Sequence, residues 1–293
     1  MKPRFVLCIG ASKSGTTWLY NYLAASPFAR MGVRKEYGAL NQIYQIPKLE
    51  WHARPKVLDS AFGAKLAQQR DIVAGISNSL ENYVTYFDEL FQDDFLLTAD
   101  VSPSYMPIQA ADLRAVIDAF NAKGIAVRVV LLLRDPVERL LSFGRMVKKL
   151  KFEIKGIGSV LETDMMTWLD ALLTQTNFGT DYASSISNVV AATAEDERFI
   201  YPYEALTTPK GIAALSKALD VPEMSFFSTR VFNSSPISKS NDLGIYDIQV
   251  LVDHLAPQYE NCRRYFEGQK ISLNWRDVTT LEGLPPPSKK TIG

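Results

Sequence analysis

Two short segments hold most of the residues whose types and spacing could do chemistry. The first is Gly10-Ala11-Ser12-Lys13-Ser14-Gly15-Thr16-Thr17, a glycine loop set between an apolar run and a helix-like pattern. Backbone N–H groups at such a helix start face an anion, so the setting is that of a phosphate cradle. In nucleoside-triphosphate loops the pattern is G-x-x-x-x-G-K-[ST], and its lysine reaches the outer phosphates. Here Thr16 holds the lysine position, and the loop's lysine lies three residues earlier, at Lys13. That displacement argues against a γ-phosphate as the transferred group and suits a nucleotide whose 5′-phosphate lies in the loop. The second segment, Arg134-Asp135-Pro136-Val137-Glu138-Arg139-Leu140-Leu141-Ser142, follows the apolar run 129–133. An arginine at the end of a buried parallel strand sits on the edge where open α/β sheets bind ligands, and its planar fork matches a phosphate. Ser142 can converge on the same anion. The plainer readings are a glycine turn joining strand to helix, and an Arg134 ion pair with Asp135 or Glu138.

Lys13-Ser14-Gly15-Thr16-Thr17-Trp18-Leu19 resembles the 5′-phosphosulfate loop of the sulfotransferases that use 3′-phosphoadenosine 5′-phosphosulfate (PAPS), K-x-G-T-T-x-L. Arg134 to Ser142 matches every fixed position of that family's 3′-phosphate motif, R-[DN]-P-x-x-R-x-x-S. The resemblance spans most of residues 4 to 275 and is strongest at these two motifs. It implies that Lys13, Ser14, Gly15, Thr16 and Thr17 hold the 5′-phosphosulfate end, with Trp18 beside them as a candidate contact whose residue type reads as core. It further implies that Arg134 and Ser142 bind the 3′-phosphate, that Lys13 meets the charge developing on the bridging oxygen, and that no metal takes part. The product would be adenosine 3′,5′-bisphosphate (PAP).

Transfer of a sulfuryl group to a hydroxyl or amine needs a base for the acceptor's proton. The two histidines, His52 and His254, lie beside neither motif, so a carboxylate is expected. Arg34-Lys35-Glu36-Tyr37 resembles the K-E-x-x-F segment of the heparan-sulfate, or glycan, branch. That implies Glu36 as base, Lys35 as an acceptor or sulfate contact, and a glycan acceptor, with a lipid or small alcohol behind it. Asp100-Val101-Ser102-Pro103-Ser104-Tyr105 resembles the same branch's E-K-[ST]-P-x-Y, with aspartate for glutamate and valine for lysine. Asp100 is thereby the reserve candidate for base or substrate contact. Lys239, in the polar stretch 233–241, is a candidate cofactor contact from a loop.

These residues need a frame to hold them. Apolar runs at 5–9, 95–99 and 127–133, with a further strand at 198–203, read as strands of a parallel sheet covered on both faces. Helical patterns over 16–25, 81–91, 108–122, 137–149, 160–173, 184–194 and 211–219 alternate with them, and two more helices are expected within 246–266, broken at Pro257. The expected fold is α/β: one domain over 1–278, a central parallel sheet flanked by helices, P-loop-like at its first turn, with a tail at 279–293. At 293 residues and 47% hydrophobic content the chain can bury a sizeable core.

Lys plus Arg, 32, balances Asp plus Glu, 32, so no overall field points to nucleic acid, and anion binding must be local. Two distant cysteines, Cys8 and Cys262, suggest free thiols and a cytoplasmic setting. The basic start leads into an apolar run too short for a secretory signal, and no run approaches the ~18 apolar residues of a membrane span. Two other classes remain open. One is a P-loop kinase that uses Asp100 at a metal-binding strand end and depends on magnesium. The other is a catalytically silent protein that only binds the bisphosphate.

Overall fold

A computed structural model of the protein describes residues 2–47, 51–52, 60–150, 153–154, 157–159, 164–175, 181–229, 245–273 and 275. The strands are β1 (Arg4–Gly10), β2 (Trp51–His52), β3 (Leu97–Val101), β4 (Ala126–Leu133), β5 (Glu153–Ile154), β6 (Gly158–Ser159) and β7 (Arg198–Pro202). The helices are α1 (Thr16–Ala24), α2 (Ala39–Ile43), α3 (Ser60–Ile76), α4 (Leu80–Asp88), α5 (Ala110–Asn121), α6 (Pro136–Leu150), α7 (Met165–Gln175) and α8 (Tyr182–Ala192). They continue with α9 (Tyr203–Leu206), α10 (Pro209–Leu219), α11 (Ile245–His254) and α12 (Ala256–Gly268).

Alternation along the strands decides the layering. Successive side chains point to opposite faces of a sheet, so Phe5, Leu7 and Ile9 join one core, with Val129, Leu131 and Leu133 of β4. Tyr83 and Phe87 of α4, Phe120 of α5 and Val189 of α8 close over that face. Val6, Cys8, Val130 and Leu132 enter the opposite core, under Trp18 and Tyr22 of α1 and Ile212 and Leu215 of α10. Both faces being covered explains why β1 and β3 are buried at every position. A third core gathers α6, α7 and α11 around Phe143, Trp168 and Leu251.

The main sheet runs β3-β1-β4-β7, with each pair parallel. The strand that follows β1 in this sheet lies on one side of it and the next lies on the other. Strand order thus reverses at the C-terminal end of β1, which is where open α/β sheets form a ligand crevice. The glycine loop leaves β1 at that point. A small antiparallel sheet, β2-β5-β6, lies apart.

The expected architecture is the observed one: a single α/β domain, with a four-strand parallel central sheet and helices on both faces. Several elements differ from expectation. The third strand sits two residues later than the run 95–99, because Leu97 is the residue that aligns with Arg4 and Asp100 the one that aligns with Leu7. Asp100 therefore lies within the strand and not beyond its end. The C-terminal helices part at Leu255, and Pro257 falls in the first turn of α12, where its missing N–H costs nothing. Helices α2 and α3 and the small sheet carry no period that single-sequence reading resolves. The tail at 279–293 lies outside the described residues.

Candidate active site

The loop after β1 turns sharply. Gly15 caps α1 with φ 84°, a left-handed conformation that favours glycine, and an added Cβ there would come within 2.3 Å of the Tyr203 ring. Lys13 also has positive φ, 67°. Ser14 is fully buried, and its Oγ has no hydrogen-bond partner among the described residues. A buried hydroxyl without a partner costs on the order of 1–3 kcal/mol, so an orphan beside a helix N-terminus marks a place that a ligand completes.

The second segment meets the first directly. Arg134 Nη1 donates to the carbonyl of Lys13 at 3.2 Å, so the two sequence motifs, 121 positions apart, are joined at the sheet edge. The guanidinium lies over the Tyr203 ring at 5.3 Å, and its Nε is buried with no hydrogen bond to any described residue. The ion-pair reading of Arg134 is present in weak form, with Glu138 and Glu204 each at 4.0 Å. Asp135 caps α6 by accepting the N–H of Glu138 at 3.0 Å, and Pro136 opens the helix behind it. Tyr182 donates to the Arg134 carbonyl at 2.9 Å and lies beneath the guanidinium of Arg139, a nearly fully buried side chain. Ser142 is half-buried, two turns along α6.

Positive charge gathers around the loop. Burial holds the Lys13 ammonium below the usual lysine range, and the charges of Arg134, Arg145 and Lys35 push the same way. A partly buried ammonium disfavoured by three neighbouring cations is a group that an anion would stabilise. The buried Ser14 hydroxyl, the left-handed Gly15 and the free Arg134 Nε fit a nucleotide carrying phosphate groups at both ends.

On the other side of the loop, Lys35 Nζ lies 3.4 Å from Thr16 Oγ1 and 2.5 Å from Glu36 Oε1. Lys35 thus brings an ammonium to the threonine that replaced the usual loop lysine. Glu36 is half exposed and opens into a cavity of about 670 Å³ lined by Arg34, Lys35, Glu36, Leu66, Ala67, Gln69 and Arg70.

Asp100 is not on the wall of this cavity. It is fully buried and accepts from Ser102 Oγ at 2.5 Å, Tyr83 Oη at 2.9 Å and Tyr105 Oη at 2.8 Å. Burial raises its pKa to about 6 against the pull of these hydroxyls. Contact with an acceptor, or with a metal as in the kinase reading, would require this cluster to open. Trp18 likewise turns inward: its Nε1 donates to the Phe227 carbonyl at 3.3 Å and its ring stacks on Tyr22. Its place is in the core, as its residue type implied. Lys239 lies outside the described residues.

Two residues at the site escaped the sequence reading. Tyr203 and Glu204 immediately follow β7, as Arg134 follows β4, so the rule that strand C-termini line the crevice could have found them. Glu204 accepts from the Asp135 N–H at 3.2 Å and from Trp275 Nε1 at 2.7 Å, and burial raises its pKa. Arg145 reads as one more cation on a basic helix, and only the fold turns it toward Lys13.

The family profile described as "Sulfotransferase domain" matches residues 3–211. Among solved structures, a sulfotransferase from Alicyclobacillus acidocaldarius is similar over 96% of this chain and 99% of its own, with a TM-score of 0.50 at 16% identity. The sulfotransferase domain of the curacin biosynthetic pathway aligns over 93% of this chain and 99% of its own, with a TM-score of 0.49 and 15% identity. The corresponding domain of the Synechococcus PCC 7002 olefin synthase aligns over 93% and 96%, with a TM-score of 0.46 and 14% identity. No curated protein sequence matches.

Proposed function

Since the chain belongs to the sulfotransferase-domain family, and is thus a transferase, we propose that it moves the sulfuryl group of PAPS to a hydroxyl or amine of a glycan. One observation carries this reading: the Arg134–Lys13 hydrogen bond, which joins a 5′-anion loop and a 3′-anion arginine on one crevice.

When bound, PAPS supplies the sulfuryl group, and PAP is what remains. The N–H groups of the loop, with Ser14, Gly15, Thr16 and Thr17, hold its 5′ end, and the orphaned Ser14 Oγ gains a partner there. Arg134 and Ser142 take the 3′-phosphate; the planar guanidinium fork of Arg134 matches the phosphate oxygens. Lys13 places positive charge at the loop tip, where the leaving oxygen becomes negative. Glu36 accepts the acceptor's proton at its carboxylate, from a position that opens to the cavity. Lys35 holds that carboxylate and Thr16 together. Arg34, Gln69 and Arg70 make a polar, net positive wall that suits a hydroxyl-rich, acidic sugar of the kind the heparan-sulfate branch modifies. Lys239 is the remaining candidate for the nucleotide. The catalytic unit is the domain 1–278, and the buried free thiols Cys8 and Cys262 support a reducing, cytoplasmic setting.

The test is a screen of the purified protein with PAPS against sugars, phenols, sterols and lipid alcohols, read by mass spectrometry. A sulfate adduct on a sugar, formed in the presence of a chelator, is the expected result. An adduct confined to the phenols or sterols overturns the glycan assignment, and PAPS left unconsumed with every acceptor overturns the catalytic reading.

A further inference from the structure

We infer that Asp100 is a positioning residue: through Ser102 it fixes the Lys35–Glu36 segment at the reaction centre while touching neither reactant. This rests on the role proposed for Glu36.

The argument is one of hydrogen-bond direction. A serine hydroxyl has one proton and two lone pairs. Ser102 donates its proton to Asp100 Oδ1 at 2.5 Å, which leaves its oxygen to accept from the N–H of Tyr37 at 2.9 Å and of Gly38 at 3.2 Å. Gly38, with φ 66°, lets two successive N–H groups converge on one oxygen. On the other side of Glu36, the carbonyl of Lys35 accepts from the N–H of Val101 at 3.3 Å. Glu36 is thus held before and after by the C-terminal end of β3. Tyr105 repeats the pattern: it donates to Asp100 Oδ2, and its oxygen accepts from the N–H of Leu40 at 3.3 Å.

Only an ionised carboxylate accepts all three hydroxyl protons at once. An amide at this position turns one of the two oxygens into a donor. A hydroxyl facing that donor must reverse, so that its own proton points at a backbone N–H. The link to residues 37–40 then fails while packing is kept. Tyr83 separates this role from plain support of the fold. It bonds to the same carboxylate, yet it stands on α4 and reaches no backbone of 37–40.

Two readouts on the full chain test the inference. In hydrogen exchange without acceptor, Ser102→Ala and Asp100→Asn should speed exchange of the Tyr37 and Gly38 amides, and Tyr83→Phe should not. In turnover with PAPS and the acceptor found by the screen, Ser102→Ala and Asp100→Asn should lower kcat on the order of tenfold to a hundredfold, as a displaced catalytic group does. KM for PAPS should stay within about threefold. Placed in a Glu36→Gln background, each should add less than about twofold, since residues acting as one unit are not additive. Should Asp100→Asn fail to fold, Ser102→Ala carries both readouts. Unchanged amide exchange, full additivity with a slow Glu36→Gln enzyme, or a Tyr83→Phe loss equal to that of Ser102→Ala would each overturn the positioning role. A Glu36→Gln enzyme with undiminished turnover instead overturns the base assignment on which it stands.

Discussion

The crevice at the ends of β1 and β4 and the cluster around Asp100 are both buried and polar, yet their hydrogen-bond accounts differ. At the crevice, Ser14 Oγ and Arg134 Nε have no hydrogen-bond partner among the described residues, and neighbouring cations add to the cost of the charge on Lys13. Around Asp100, three hydroxyls end on one carboxylate, and the oxygens of two of them, Ser102 and Tyr105, accept in turn from backbone amides. Buried polar groups are nearly always paired in a folded protein. An incomplete set at a sheet edge is therefore a place for a ligand, and a complete set inside the sheet is scaffolding.

The largest effect that would break this contrast is at Lys13. Lys13→Ala should lower kcat on the order of a hundredfold to a thousandfold, the loss typical of one group that stabilises transition-state charge. PAP affinity, read by calorimetry, should change far less. A variant that loses affinity and keeps kcat would make Lys13 a simple anchor. Next comes Gly15→Ala, which forces a side chain into left-handed backbone, at about 1–2 kcal/mol, and sets a methyl against the Tyr203 ring. PAP affinity should fall by about tenfold or more, with secondary structure unchanged by circular dichroism; undiminished affinity would show that the loop does not cradle the nucleotide.

At the satisfied cluster the expected effects fall on stability. Tyr83→Phe removes one buried hydrogen bond, which should cost about 1 kcal/mol in denaturant unfolding and leave PAP affinity unaltered. A loss of affinity would mean that the two regions are not separate. The smallest effect is on pH dependence. Asp100 has a folded-state pKa raised from 3.8 to about 6, so the folded chain keeps a proton that the unfolded chain has released. Its contribution to stability is full below the unfolded value and is lost as pH rises through about 6. Cys8, Tyr37, Tyr83 and Tyr105, which interact with it, are neutral in that window, because burial raises each of their pKa values. Turnover should move oppositely, rising as Asp100 ionises. Denaturant unfolding of the wild type against Asp100→Asn at several pH values reads the stability arm, and a stability difference that does not change with pH contradicts it.

The strand-end placing of the two segments, 10–17 and 134–142, was legible from residue type and spacing alone, because glycine loops and strand-end arginines are short-range features. The layering was legible too, from unbroken apolar runs at β1 and β4. Asp100 shows where such reading stops. A two-residue shift of β3 moves it from a crevice edge into the sheet, and strand boundaries depend on pairing with Arg4 and Leu7, which no local pattern encodes. Arg145, Tyr203 and Glu204 reach the site only through the packing of α6 and β7 against the loop. The cavity beside Glu36 depends on α3, whose pattern gave no period to read.

The account turns on one crevice gripping a nucleotide at both phosphorylated ends. Isothermal titration of the wild type and Arg134→Ala with PAP and with AMP tests it most directly. In the wild type, PAP should bind on the order of tenfold to a hundredfold more tightly than AMP, as charged hydrogen bonds allow. In Arg134→Ala that advantage should shrink to within about threefold, through loss of PAP affinity alone. Equal binding of the two nucleotides by the wild type, or an equal loss for both in the variant, would contradict it.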